Sequence, residues 1–216
     1  MKKILGMFTL FTICSMGTLS VMAGDWNNYR VTITNATSHH VITPPVIVIH
    51  NRHFNLFEVA TAASEGLATQ AETGNPAVLA AEAKAKRGVY NVTTGNGVIL
   101  YGTKASFEFR APKNAKISMS AMLASTNDAV TAILGQSLPK KSVTYMAETY
   151  DAGSEDNHEL CIDIPGPPCG GTNAANDSDG EGFITVHGGI DGVGDLPQAD
   201  LDWRGATSLV TITRMD

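Results

Sequence analysis

Between Tyr29 and Arg214 the chain keeps returning to an apolar–polar alternation of period two, and that rhythm constrains its fold more than any other feature. Over residues 29–35, Tyr29, Val31 and Ile33 fall on one face and Arg30, Thr32 and Thr34 on the other. The same period recurs over residues 105–110, 117–123, 143–146, 182–187 and 209–214, each predicting a strand with one face buried. Residues 46–50, Val-Ile-Val-Ile-His after Pro44-Pro45, are instead a continuous apolar run, which predicts a strand covered on both faces. One stretch breaks the period. Residues 64–72, stopped by Gly74, and residues 77–86, with Asn75 capping, Pro76 at the first helical position and Gly88 as stop, predict two short helices. Short strands joined by polar, glycine-rich connections predict a mainly β protein, an antiparallel β-sandwich with a short helical insert. The first and last strands then both carry threonines on their outer face.

The 216 residues, 43% of them hydrophobic, suffice for one domain with its own core. No repeat and no Pro- or Ser-rich linker divides them. The 21 glycines and 9 prolines agree with a turn-rich β fold. A formal charge of −6 speaks against a nucleic-acid surface and for cations as partners.

Residues 1–23 read as a secretory signal peptide, leaving 24–216 as the mature domain. Lys2-Lys3 precede an uncharged, mostly apolar stretch that ends in Val21-Met22-Ala23, a small-x-small cleavage signal. No second apolar stretch reaches membrane-spanning length, so the mature chain is expected to have no transmembrane segment and to be secreted or periplasmic. Cleavage leaves two of the three cysteines, Cys161 and Cys169. Eight residues apart across a proline-rich turn in an exported chain, they suit a local disulfide, worth about 2–3 kcal/mol at most.

Two acidic segments follow apolar strands: Ser125-Thr126-Asn127-Asp128, and Tyr150-Asp151-Ala152-Gly153-Ser154-Glu155-Asp156-Asn157. Brought together at one end of a sandwich, they offer the carboxylates that Ca²⁺ seeks, with Gly153 free to turn the main chain and present a carbonyl. Taken alone, such segments are equally well solvated turns. Glu108 alternates with Phe107 and Phe109 and so faces away from them, toward solvent or toward that same end.

In order along the chain, Phe107-Glu108-Phe109-Arg110, Ser125-Thr126-Asn127-Asp128, Tyr150-Asp151-Ala152-Gly153-Ser154-Glu155 and Leu209-Val210-Thr211-Ile212-Thr213-Arg214 resemble the spondin amino-terminal domain family, over about residues 29–214. The resemblance implies a C2-like β-sandwich that binds calcium and serves extracellular adhesion. It places Glu108, Asp128 and Asp151 on the family's calcium ligands, with Glu155 as a further candidate. The chain departs from the animal domains at Ala129, where they carry Trp, and in its helical insert and its Cys161–Cys169 loop. The receptors of those domains are therefore not carried over, and the partner is expected to be an extracellular protein or glycan.

The alternative is an enzyme. His50, His53 and His187 are potential transition-metal ligands, and a metal-dependent hydrolase would have to draw on His50 or His187 with Asp195. Histidines that end apolar strands more often hydrogen-bond the backbone. No His-Glu-x-x-His or Gly-x-Ser-x-Gly motif occurs. Residues 188–195, rich in glycine, follow a strand without a helix after them and read as a tight turn. Residues 173–180 imitate the start of an EF-hand but put Ala175 in the first ligand position and Val186 in the last. The sequence is best read as a non-enzymatic, calcium-binding adhesion or ligand-binding module.

Overall fold

The computed structural model describes residues 26–171 and 180–216; the expected signal peptide and most of the EF-hand-like stretch lie outside them. The elements run β1 (Trp26–Asn35), β2 (Val46–His50), α1 (Glu65–Thr73), α2 (Ala77–Ala85), β3 (Val89–Thr94), β4 (Lys104–Pro112), β5 (Lys116–Met122), β6 (Ala129–Ser137), β7 (Ser142–Asp151), β8 (Thr185–Val186), α3 (Gln198–Leu201) and β9 (Ser208–Arg214). The protein is mainly β. Its antiparallel strands follow the order β3-β2-β5-β6-β7-β9-β1-β4, with β8 added on β7, in a sheet that nearly closes on itself as a sandwich-like barrel. An edge-to-face contact of Trp26 on β1 with Tyr90 on β3, 6.2 Å between ring centroids, brings the two ends of the sheet near each other.

The alternation does the work expected of it. Tyr29, Val31 and Ile33 meet Ile47, Ile49, Ile117, Met119, Val210 and Ile212 in the interior between the sheet's two halves. The outer face of the β7–β9–β1–β4 half carries hydroxyl pairs: Ser142 with Thr213 and Thr144 with Thr211 at 2.9 Å, and Thr32 with Ser106 at 2.8 Å.

β2 is buried along its whole length because the helices cover its second face. Val46 and Val48 pack with Leu67 and Ala71 of α1, Leu79 and Ala83 of α2, and Val130 and Ala132 of β6. Ser64 caps α1 by accepting from the Leu67 N–H at 3.2 Å, and Gly74 ends it with φ 71°. Asn75 accepts from the Ala77 N–H at 3.0 Å, while α2 stops at Ala85, short of Gly88.

Four elements differ from the sequence expectations, the first being α3, a single turn after Pro197 that follows the glycine-rich 188–195 stretch where no helix was expected. β3 and β6 are absent from the alternation: β3 mixes exposed and half-buried residues at an edge, and β6 is buried on both faces over its first five residues. The strand expected over 182–187 shrinks to Thr185–Val186, since only these two residues pair with β7. Cys161 and Cys169 form the expected disulfide, Cα atoms 4.8 Å apart. It closes a loop whose Ile164 packs with Ile190, Leu196 and Leu201 in a small separate core.

Candidate metal site

β6 begins and β7 ends side by side, with Ala129 the cross-strand partner of Asp151. That pairing carries Asp128, the residue before β6, next to Asp151. Asp128 is 0% and Asp151 6% exposed. Asp128 Oδ2 accepts from the Ser154 N–H at 2.7 Å, the Ser154 hydroxyl at 3.2 Å and the Glu155 N–H at 3.1 Å. Its Oδ1 is buried and has no hydrogen-bond donor among the described residues. Asp151 Oδ1 accepts from the Gly153 N–H at 2.6 Å and Oδ2 from Asn157 Nδ2 at 2.5 Å.

Burial, then the neighbouring Asp151, pushes the Asp128 carboxyl up to about 7. Burial likewise raises Asp151, against the hydrogen bonds from Gly153 and Asn157 and its contact with Asp128. Two carboxyl groups so placed cannot both ionise cheaply: either the pair keeps a proton or a cation stands between them.

The turn between them depends on Gly153, whose φ of 66° is left-handed and whose missing Cβ leaves room for the Phe183 main chain. Its carbonyl, expected to face a cation, accepts the Gly182 N–H at 2.8 Å. Glu155 is 1% exposed and lies against Asp128 through its backbone. Glu72, in the last turn of α1, joins from a side the sequence reading missed: it is buried near the Ser154 side chain, and burial raises its carboxyl above the usual range. The only available clue was its position two residues before Gly74, on a helix whose tertiary contacts no local pattern reveals.

Glu108 does not join this group. It faces outward on β4 opposite Arg30, with 2.7 Å between Oε1 and the guanidinium. Through the pairs Arg30–Thr213 and Thr213–Ser142 it lies level with the start of β7. Asp151 is at the far end of that ten-residue strand, about 30 Å along it. The expectation that Glu108 faces the carboxylate end is thus corrected: the outward orientation was right, but the strand's register puts it at the opposite end. Among the described residues, no three His, Cys, Asp or Glu side chains converge as a complete metal cage. Asp128 and Asp151 are the carboxylate pair brought together here, with Glu72 and Glu155 buried near Ser154.

The histidines are spread out. His50 Nδ1 bonds the Asn51 carbonyl at 2.7 Å and Nε2 the Ser118 hydroxyl at 2.9 Å, beside the Lys116 end of β5. His53 Nε2 accepts from Arg52 at 3.2 Å. His187 lies by Thr149, near the other end of β7, where its Nδ1 accepts the Gly189 N–H at 3.0 Å and its ring leans on Trp203. Asp195 accepts from the Cys161 N–H at 2.9 Å. The glycine-rich turn is held by Glu159, unremarked in the sequence, whose two carboxylate oxygens accept the Asp191 and Val193 N–H groups at 2.6 and 3.0 Å.

Fold and site together define a β-sandwich module that gathers buried carboxylates at one end. The chain belongs to the spondin amino-terminal domain family: the family model described as Spondin_N matches residues 22–158. The family is one of non-enzymatic modules. No curated protein matches the chain. The matched segment ends beyond β7, yet β9, outside it, lies between β7 and β1 and so is integral to the same sheet.

Proposed function

We propose that this is an exported spondin-like module that binds Ca²⁺ with Asp128 and Asp151, and that the ion fixes one end of the sandwich as a surface for an extracellular protein or glycan. The buried Oδ1 of Asp128, without a donor among the described residues and beside a second carboxylate, carries the reading. A hard cation prefers oxygen ligands, and these groups offer nothing else. Glu155 and Glu72 are buried nearby without converging on the two aspartates as ligands, and Glu108 lies at the other end of the sheet. Ca²⁺ supplies positive charge that lets both aspartates ionise, and the protein holds them in place through Ser154, Gly153 and Asn157.

The disulfide supports export, since such bonds persist in oxidising compartments. No described helix is long and apolar enough to cross a membrane. A structural ion suits adhesion better than hydrolysis here: His50 has both ring nitrogens engaged by the protein, and His187, whose Nε2 has no partner among the described residues, is held by Gly189 through Nδ1 and lies against Trp203.

Calorimetric titration with CaCl₂ tests the reading. The wild type and Glu108→Gln bind one equivalent, and Asp151→Asn loses binding about tenfold or more, as expected from removal of one charged ligand. Undiminished binding by Asp151→Asn, or none by the wild type, contradicts it.

A further inference from the structure

At the end of the sheet opposite the aspartates, an open cleft of about 570 Å³ lies where the two edge strands β3 and β4 approach each other. Its volume is that of an ordinary small-ligand site. Trp26 and Tyr90 form its aromatic corner, 41% and 45% exposed in a chain with only 6% aromatic residues. Trp26, Asn28 and Arg30 point outward along β1, facing Pro112, Arg110 and Glu108 of β4 across the ladder. Tyr90 and Asn91 supply the opposite wall.

We infer that this cleft binds an acidic saccharide, its ring on the Trp26–Tyr90 corner and its carboxylate toward Arg110. A pyranose presents a face of C–H groups that packs on an exposed aromatic ring, and a rim of hydroxyls that needs planar groups with paired donors or acceptors. The cleft offers both kinds of partner. No described residue hydrogen-bonds the side chains of Arg110 or Asn91, so their donors face solvent, whereas Glu108 keeps one carboxylate oxygen beyond its bond to Arg30.

The charge argues for an acidic sugar. Arg110 and Lys113, which also flanks Trp26, have no acidic partner among the described residues, a local excess of positive charge on a protein of net −6. Glu108 in the same cleft favours a ligand with hydroxyl protons to donate over a phosphodiester. Both walls are parts of the sheet itself, so the site is preformed and does not depend on the aspartate end or on its cation.

Trigalacturonate is the probe, added to the full-length mature protein in excess chelator, with binding read by calorimetry and by tryptophan fluorescence. Saturable binding is expected, weakened about tenfold or more in Trp26→Ala and in Arg110→Ala and changed by no more than about twofold in Trp26→Phe, which keeps a ring face. Neutral maltotriose is expected to bind about tenfold more weakly than the uronate. Absence of saturable trigalacturonate binding, equal affinity for maltotriose, tighter binding of AMP, or undiminished binding by both alanine variants overturns the inference. Because chelator is present throughout, a failure here is separable from a failure of the calcium reading.

Discussion

Asp151 stands across the β6–β7 ladder from Ala129, so Asp128, one residue earlier, delivers its carboxylate to the Asp151 side chain inside the protein. Twenty-three positions separate the two in sequence, and a single strand pairing joins them. The energetic consequence is a local electrostatic conflict that only a proton or a cation relieves.

The pH dependence of stability follows from that conflict. The Asp128 carboxyl moves from an ordinary 3.8 to about 7 on folding, so the folded state holds its proton longer than the unfolded chain does. In chelator, the contribution of this group is fully present below pH 3.8 and is lost as pH rises through about 7. With Ca²⁺ the loss disappears, because the ion replaces the proton. Melting curves from pH 5 to 8 are therefore expected to show a calcium-dependent gain that grows with pH. A gain that shrinks toward pH 8 contradicts the assignment.

His187 gives a trend of opposite sign. Burial depresses its imidazole from 6.5 to about 4, against weaker attraction from Asp191, Glu159 and Glu181. The stability it contributes is complete above pH 6.5 and is lost as pH falls through about 4, at most about 3 kcal/mol. Its ring resonances, followed by NMR, are expected to stay those of neutral imidazole down to pH 5. Titration near 6.5 would show that the ring is not buried against Trp203.

Gly153→Ala probes the turn that holds both aspartates. A Cβ there collides with the Phe183 main chain, and φ is 66°. The loss expected is about 2 kcal/mol or more, together with weaker calcium binding. Gly97→Ala, where nothing lies within 4 Å of the new methyl, is the control and is expected to remain near wild type in denaturant melts.

Leu79→Ala tests whether the helical insert belongs to the core. Leu79 is 2% exposed and packs with the outer face of β2. Truncation is expected to cost about 2–5 kcal/mol by chemical denaturation. A cost below about 1 kcal/mol would mean that the helices only rest on the sheet.

The sequence was most legible where one local pattern decides the outcome. Tyr29, Val31 and Ile33 alternate and form the inner face of β1; Val46 to Ile49 are apolar on both sides and are buried on both sides; Ser64 and Gly74 bound α1 by their own chemistry. β6 escaped because a strand covered on both faces shows no alternation, and β3 because an edge strand buries too little to leave one. The site was legible in part for a related reason. Asp128 and Asp151 lie at strand ends that pair, whereas the end of the sheet reached by Glu108 depends on the register of three ladders, and Glu72 arrives on a helix docked from outside. None of those placements is encoded within a few residues.

Asp128→Asn, melted beside the wild type at pH 7.5 in chelator and in Ca²⁺, tests the central claim most directly. The neutral amide removes one of the two opposed charges, so the variant is expected to melt at or above the wild type in chelator and to gain nothing from calcium, while the wild type gains several degrees, about 1–2 kcal/mol. Equal calcium responses in the two proteins, or a wild type indifferent to calcium, would contradict a cation between Asp128 and Asp151.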